Sequence, residues 1–177
     1  MYIWIGCKLP EEFERKIRAK CMPVAAKLDL DTVAFTLPQH ISLKISFEAA
    51  QRWEEILDTL CSLLQKEKEF VVHPKAVQQE GNILWISFRE NDTLLRLHHC
   101  LDELLCRKFG IAQHLFDRAF QFHSTLFFGQ PDSVALAAEV LHGYPLSEKL
   151  RIDTFLLGIS ESGKPGTYSV VRTIDLG

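Results

Sequence analysis

The sequence has no uninterrupted apolar run of the ~18 residues that a membrane-spanning helix requires, so a helical membrane span is excluded. It has no basic run either. Lys and Arg number 20 against 23 Asp and Glu, for a net charge of −3, which excludes a protein that tracks along duplex phosphate. There is no Cys-x-x-Cys. The five cysteines, Cys7, Cys21, Cys61, Cys100 and Cys106, are odd in number and suit buried free thiols in a reducing cytoplasm. No Gly-x-Ser-x-Gly elbow and no glycine-rich phosphate loop occur, which argues against a serine hydrolase and a nucleotide-loop enzyme. His98-His99-Cys100 with Cys106 is a poor metal set, because adjacent helical residues point about 100° apart. No metal or cofactor is therefore expected. The opening MYIWIGCKLPEEF lacks a basic n-region and reads as no secretory signal.

What is present is a globular composition. Of 177 residues, 47% are apolar and 24% charged, which suits one domain spanning 1–177, or two small lobes sharing one fold. A chain of this length buries about 70% of its unfolded surface and needs no staple. With no apolar surplus, a monomer is expected.

Strands and helices alternate. Residues 2–9 read as a buried strand closed by Pro10, and 11–28 as a helix that Pro23 kinks or shortens. Residues 32–47 hold one or two strands broken near Pro38. Residues 48–66 form an amphipathic helix with Trp53, Ile56, Leu57, Leu60 and Leu64 at helical spacing. The second half restarts with strands at 70–77 and 83–88 around a Gly81-Asn82 turn. A helix follows, capped by Asn91 or Asp92, running to Lys108 and closed by Gly110. Residues 116–129 read as a strand region, 131–141 as a helix, and 151–159 and 168–176 as the last strands. Short turns between strands imply antiparallel pairing and an α+β fold.

Two strands share a pattern. One reads Gln39-His40-Ile41-Ser42-Leu43-Lys44-Ile45, the other Phe122-His123-Ser124-Thr125-Leu126-Phe127-Phe128. Alternation places His40 with Ser42, and His123 with Thr125, on one face, about 7 Å apart along each strand. Ile41, Leu43, Ile45, Leu126 and Phe128 then face the core. His-x-Ser/Thr is common as a tripeptide; duplicated in two strands with the same following leucine it is specific. Paired imidazoles suit a phosphodiester: near neutral pH one can accept a proton while the other donates one. Two hydroxyls can bind the non-bridging oxygens.

His40-Ile41-Ser42-Leu43 and His123-Ser124-Thr125-Leu126 resemble the two signature motifs of the 2H phosphoesterase superfamily, more narrowly its bacterial 2′-5′ RNA ligase and cyclic phosphodiesterase branch. The resemblance runs nearly end to end and takes in the ILWISF strand, the helix after it and Tyr168 in the closing strand. Ser42 stands where the family more often has Thr, which keeps the hydroxyl. The resemblance implies a bilobal α+β fold of pseudo-twofold duplicated lobes, with antiparallel sheets lining a central cleft and helices outside. It implies metal-independent chemistry on 2′,3′-cyclic phosphates or 2′,5′-linked nucleotides, with a small nucleotide or RNA end as partner. His40 and His123 would be the acid/base pair, and Ser42 and Thr125 the phosphate ligands. Tyr168 either borders the cleft or packs on the sheet. Lys44 shares the His40 face and either meets phosphate or lies solvated at the rim. Phe127 shares the His123 face and either stacks on a base or packs in the core. A binding module that uses the same cleft without turnover is the alternative to an enzyme.

Overall fold

In the computed structural model, which describes residues 1–144, 146 and 149–177, one order of elements occurs twice. The first half runs β1 (Tyr2–Lys8), α1 (Glu11–Leu28), β2 (His40–Ser42), the short β3 (Phe47–Glu48), α2 (Trp53–Leu64), β4 (Phe70–Val72) and β5 (Pro74–Glu80). The second runs β6 (Ile83–Phe88), α3 (Asp92–Phe109), β7 (His123–Phe128), α4 (Pro131–Leu141), β8 (Leu150–Ile152) and β9 (Thr154–Ser160), with β10 (Ser169–Asp175) closing the chain. In each half an 18-residue helix separates a first strand from the motif strand that pairs with it antiparallel.

The halves are interleaved. β9 pairs with β1, giving the sheet β10-β9-β1-β2 with β3 also on β1. β5 pairs with β6, giving β5-β6-β7, and β4 pairs with β8 as a separate ribbon. Each half thus lends its last long strand to the other's sheet. All named pairings are antiparallel, so the α+β class holds. One cluster of buried side chains joins both halves, from Ile3 and Ile5 through Leu60 and Leu101 to Ile174.

Local chemistry sets the clearest boundaries. Asn91 accepts the Leu94 N–H at the start of α3, and Gly110 at φ 69° closes it in the left-handed region. The buried face is Leu94, Leu97, His98, Leu101 and Leu105. Pro131 opens α4, where its missing N–H costs nothing. Several expectations need correction. α1 runs through Pro23 to Leu28, because Phe13, Ile17, Cys21 and Ala25 keep one face buried across it. α2 begins at Trp53 rather than residue 48, because Phe47 and Glu48 pair with Ile3 and Tyr2. Residues 33–35 and 115–119 form 3-10 turns rather than strand. The cysteines are all free, but only Cys7 and Cys21 are buried, and Cys106 is exposed. No described helix is long and apolar enough to cross a membrane.

A bulge in β7 also departs from simple alternation. Trp85 pairs with Thr125 and Leu84 with Phe127, so Leu126 has no partner in the register. The extra residue inverts the faces beyond it. Phe127 turns into the core against Phe35 and is fully buried, while Phe128 turns to the side of Thr125.

Candidate active site

β2 and β7 each begin with their histidine, and the two strands lie against each other across the halves. His40 Nδ1 lies 2.7 Å from the Pro38 carbonyl oxygen, and His123 Nδ1 lies 2.7 Å from that of Gln121. A carbonyl only accepts, so each Nδ1 carries hydrogen and donates. Each Nε2 is then left to accept a proton when the ring is neutral and to donate one when it is charged. The same i−2 contact in both halves fixes both tautomers alike.

Each histidine also rests on a tryptophan from the neighbouring strand. Trp4 meets His40 edge-on at 4.2 Å between ring centroids, and Trp85 stacks on His123 at 4.4 Å. Trp4 Nε1 donates to Ser42 Oγ at 3.0 Å, which leaves the Ser42 hydroxyl proton available. The Trp4 indole lies flat over two glycines: a Cβ at Gly6 or Gly158 would come within 2.5 or 2.8 Å of it. Trp85 Nε1, by contrast, is buried without an acceptor, the one such side-chain atom among the described residues. These tryptophans were missed in the sequence, although the signal is there: Ile3-Trp4-Ile5-Gly6 and Leu84-Trp85-Ile86-Ser87 occupy equivalent places before the two long helices.

Burial weakens both imidazoles as bases. Desolvation, opposed by the Pro38 carbonyl and reinforced by the charge of His123, lowers the His40 pKa to about 4. Desolvation lowers that of His123 too, against its bond to Gln121 and the charge of Glu80. A proton on one ring therefore disfavours a proton on the other. Tyr168 stays a neutral phenol, since burial pushes its pKa up.

Trp4, His40, Ser42, Thr125, Phe128 and Tyr168 line a cavity of about 150 Å³. His123 lines a neighbouring groove of about 470 Å³. Tyr168 thus borders the cleft, with its hydroxyl toward the Gly163 carbonyl at 3.3 Å. Lys44 and Phe127 do not. β2 ends at Ser42, so alternation stops before Lys44. Its side chain is 2% exposed and ion-paired with Asp102 and Asp117, neither on phosphate nor at a solvated rim. Phe127 is removed to the core by the bulge. His98 is structural, its nitrogens 2.8 and 2.9 Å from the Leu43 and Asp117 carbonyl oxygens. Among the described residues no group of three His, Cys, Asp or Glu side chains could hold a metal ion.

Behind the histidines the motif strands are tied together. Ser124 Oγ donates to Gln39 Oε1 at 2.8 Å, and Gln39 Nε2 donates to the Ala34 carbonyl. Gln39 precedes His40 and Ser124 follows His123, so this bond fixes the spacing of the two imidazoles. Ser124→Ala leaves the Gln39 oxygen buried without that donor. The expected cost is about 1–3 kcal/mol, read as a lower urea midpoint; an unchanged midpoint would show that the tie carries no stability.

Sequence comparison matches the chain to no protein-family model and to no curated protein. Solved structures do match. TT0787 of Thermus thermophilus is 18% identical with a TM-score of 0.71, over 99% of this chain and 98% of its own. Escherichia coli LigT complexed with 3′-AMP is 20% identical with a TM-score of 0.62, over 98% and 96%. Kluyveromyces marxianus Usb1 is 12% identical with a TM-score of 0.62, over 99% and 98%. This chain shares the fold of all three from end to end.

Proposed function

We propose that the chain is a metal-independent phosphodiesterase of the 2H type, acting on 2′,3′-cyclic phosphate or 2′,5′-linked nucleotide or RNA-end substrates. The observation that carries this reading is the matched pair of imidazoles, each held at Nδ1 by a carbonyl two residues back and each free at Nε2. The 3′-AMP complex of LigT supports a nucleotide phosphate as the ligand.

In this reading the phosphate sits between His40 and His123, with Ser42 and Thr125 donating to its non-bridging oxygens. One neutral Nε2 takes a proton from water as the water oxygen bonds to phosphorus. The bond from phosphorus to the ribose oxygen breaks, and the other ring's Nε2–H protonates that leaving oxygen. The proton balance closes when the two rings exchange their extra proton through solvent.

The test is kcat/KM against pH for a 2′,3′-cyclic nucleotide, with EDTA present. The productive free enzyme carries one proton across the two rings. Below the lower pKa both are charged and no base remains; above the higher pKa both are neutral and no acid remains. Since His40 titrates at about 4 and His123 below its ordinary value of 6.5, the bell should peak on the acid side of neutrality. A flat profile, an optimum above pH 7, or loss of turnover with EDTA would contradict the proposal.

A further inference from the structure

The two sides of the cleft differ in size, and among the described residues neither is walled by Lys or Arg. On the His40 side, the loop between β9 and β10 closes over the site. Its Gly166 lies so near Val33 that a Cβ there would come within 2.2 Å of the valine methyl, and only about 150 Å³ remains. That is below the ~300–1,000 Å³ of cavities that hold nucleoside-sized ligands. On the His123 side, Ile45, Ile83, Trp85, Phe116 and Phe120 wall about 470 Å³, within that range. Phe116 is 67% exposed at the groove mouth.

Among the described residues, neither Lys nor Arg lines either side. Glu80 lines the larger one. The lysine that alternation would have sent to the cleft is consumed in the core by Asp102 and Asp117. Arg118 and Lys164 are exposed next to lining residues in the chain but are not themselves in the walls. A polyanion such as an RNA end carries a further charge at every nucleotide, and binding proteins neutralise such charges with Lys and Arg. This cleft has hydroxyls and two weakly basic imidazoles for one phosphate and no charge for a second.

Resting on the phosphodiesterase reading, we infer that the cleft selects a diester with a single phosphate and one planar base, a mononucleoside 2′,3′-cyclic phosphate, with the base in the Phe116–Phe120 groove beside His123 and the attacking water on the closed side. Additional phosphates are selected against by the bare walls and by Glu80.

The experiment compares adenosine 2′,3′-cyclic phosphate with the same compound carrying a 5′-phosphate. The expected kcat/KM is about tenfold or more lower for the 5′-phosphorylated compound. Glu80→Gln should narrow that ratio, and Phe116→Ala should raise KM for the unphosphorylated compound about tenfold with kcat little changed. Equal or better use of the 5′-phosphorylated compound would overturn the inference, as would a ratio that Glu80→Gln leaves untouched. If neither compound is turned over while a 2′,5′-linked dinucleotide or an RNA 2′,3′-cyclic end is, the inference is overturned and the phosphodiesterase reading stands; if none of these is turned over, that reading fails, and calorimetry then judges the cleft alone. Adenosine 3′-monophosphate should bind about tenfold tighter than adenosine 3′,5′-bisphosphate, and the reverse order overturns the inference.

Discussion

Replacing either His40 or His123 with alanine is expected to lower kcat on a cyclic nucleotide about 10²- to 10⁴-fold. Both rings are half-buried at the cleft, and the protein bond of each is made to a local carbonyl two residues away. Neither ring therefore supports the core, and the urea midpoint should move little. The ring contact with Trp4 or Trp85 is worth about 0.5–1.5 kcal/mol, the upper limit of the expected change. The double variant should be scarcely slower than the slower single variant, because each ring needs the other to complete a proton transfer. Additive losses, or a single variant with full activity, would show that the histidines do not act as a pair.

The largest stability effect is expected at Lys44. Its ammonium is buried between the carboxylates of Asp102 and Asp117, and Asp117 also accepts the Ile45 and His114 N–H groups. Lys44→Met leaves the buried Asp117 and the partly exposed Asp102 without that cation, at a cost of about 3 kcal/mol or more. Its pH dependence gives a second readout. In the native chain burial would raise the Asp117 pKa, but Lys44 and the two backbone donors outweigh it and hold it below the ordinary 3.8. The stability this supplies is present above pH 3.8 and is lost as pH falls through the still lower folded value. Without Lys44 the desolvated carboxyl is expected to titrate above its ordinary value, so the variant should gain stability as pH falls from 7 toward 5. Denaturation at both pH values checks the sign. A variant with no loss at pH 7 would show that the ammonium is not needed there.

These two sites differ in how far the sequence disclosed them. The histidine pairs were legible because their meaning is local: a two-residue period on a strand, repeated with the same leucine after it. The ends of α3 were legible for the same reason, since Asn91 and Gly110 act within one helical turn. Lys44 was misread because its partners are 58 and 73 residues away, and because nothing in the period-two pattern marks where β2 stops. Phe127 and Phe128 exchanged faces through one unpaired residue that period-two alternation does not anticipate. The Gln39–Ser124 tie lies 85 residues apart and has no sequence signature. The tryptophans are a different case. The repeated Trp-Ile-small segment was visible and carries the wall of each histidine, but an aromatic in a strand reads as core unless the two strands are laid side by side.

The exchange of β5 and β9 between the halves bears on how the chain folds. Neither half can complete its own sheet, because the strand that finishes it lies far along the chain: β1 must wait for β9, about 150 residues later by register, with Tyr2 opposite Ser160. Contacts of such sequence separation make folding slow and late to commit. They also make it all-or-none: peeling β9 from β1 bares an edge in the first sheet and withdraws the second half's last strand in the same event. The two histidines, one from each half, are thus expected to find their final surroundings together, in the step that closes the interleaved sheets.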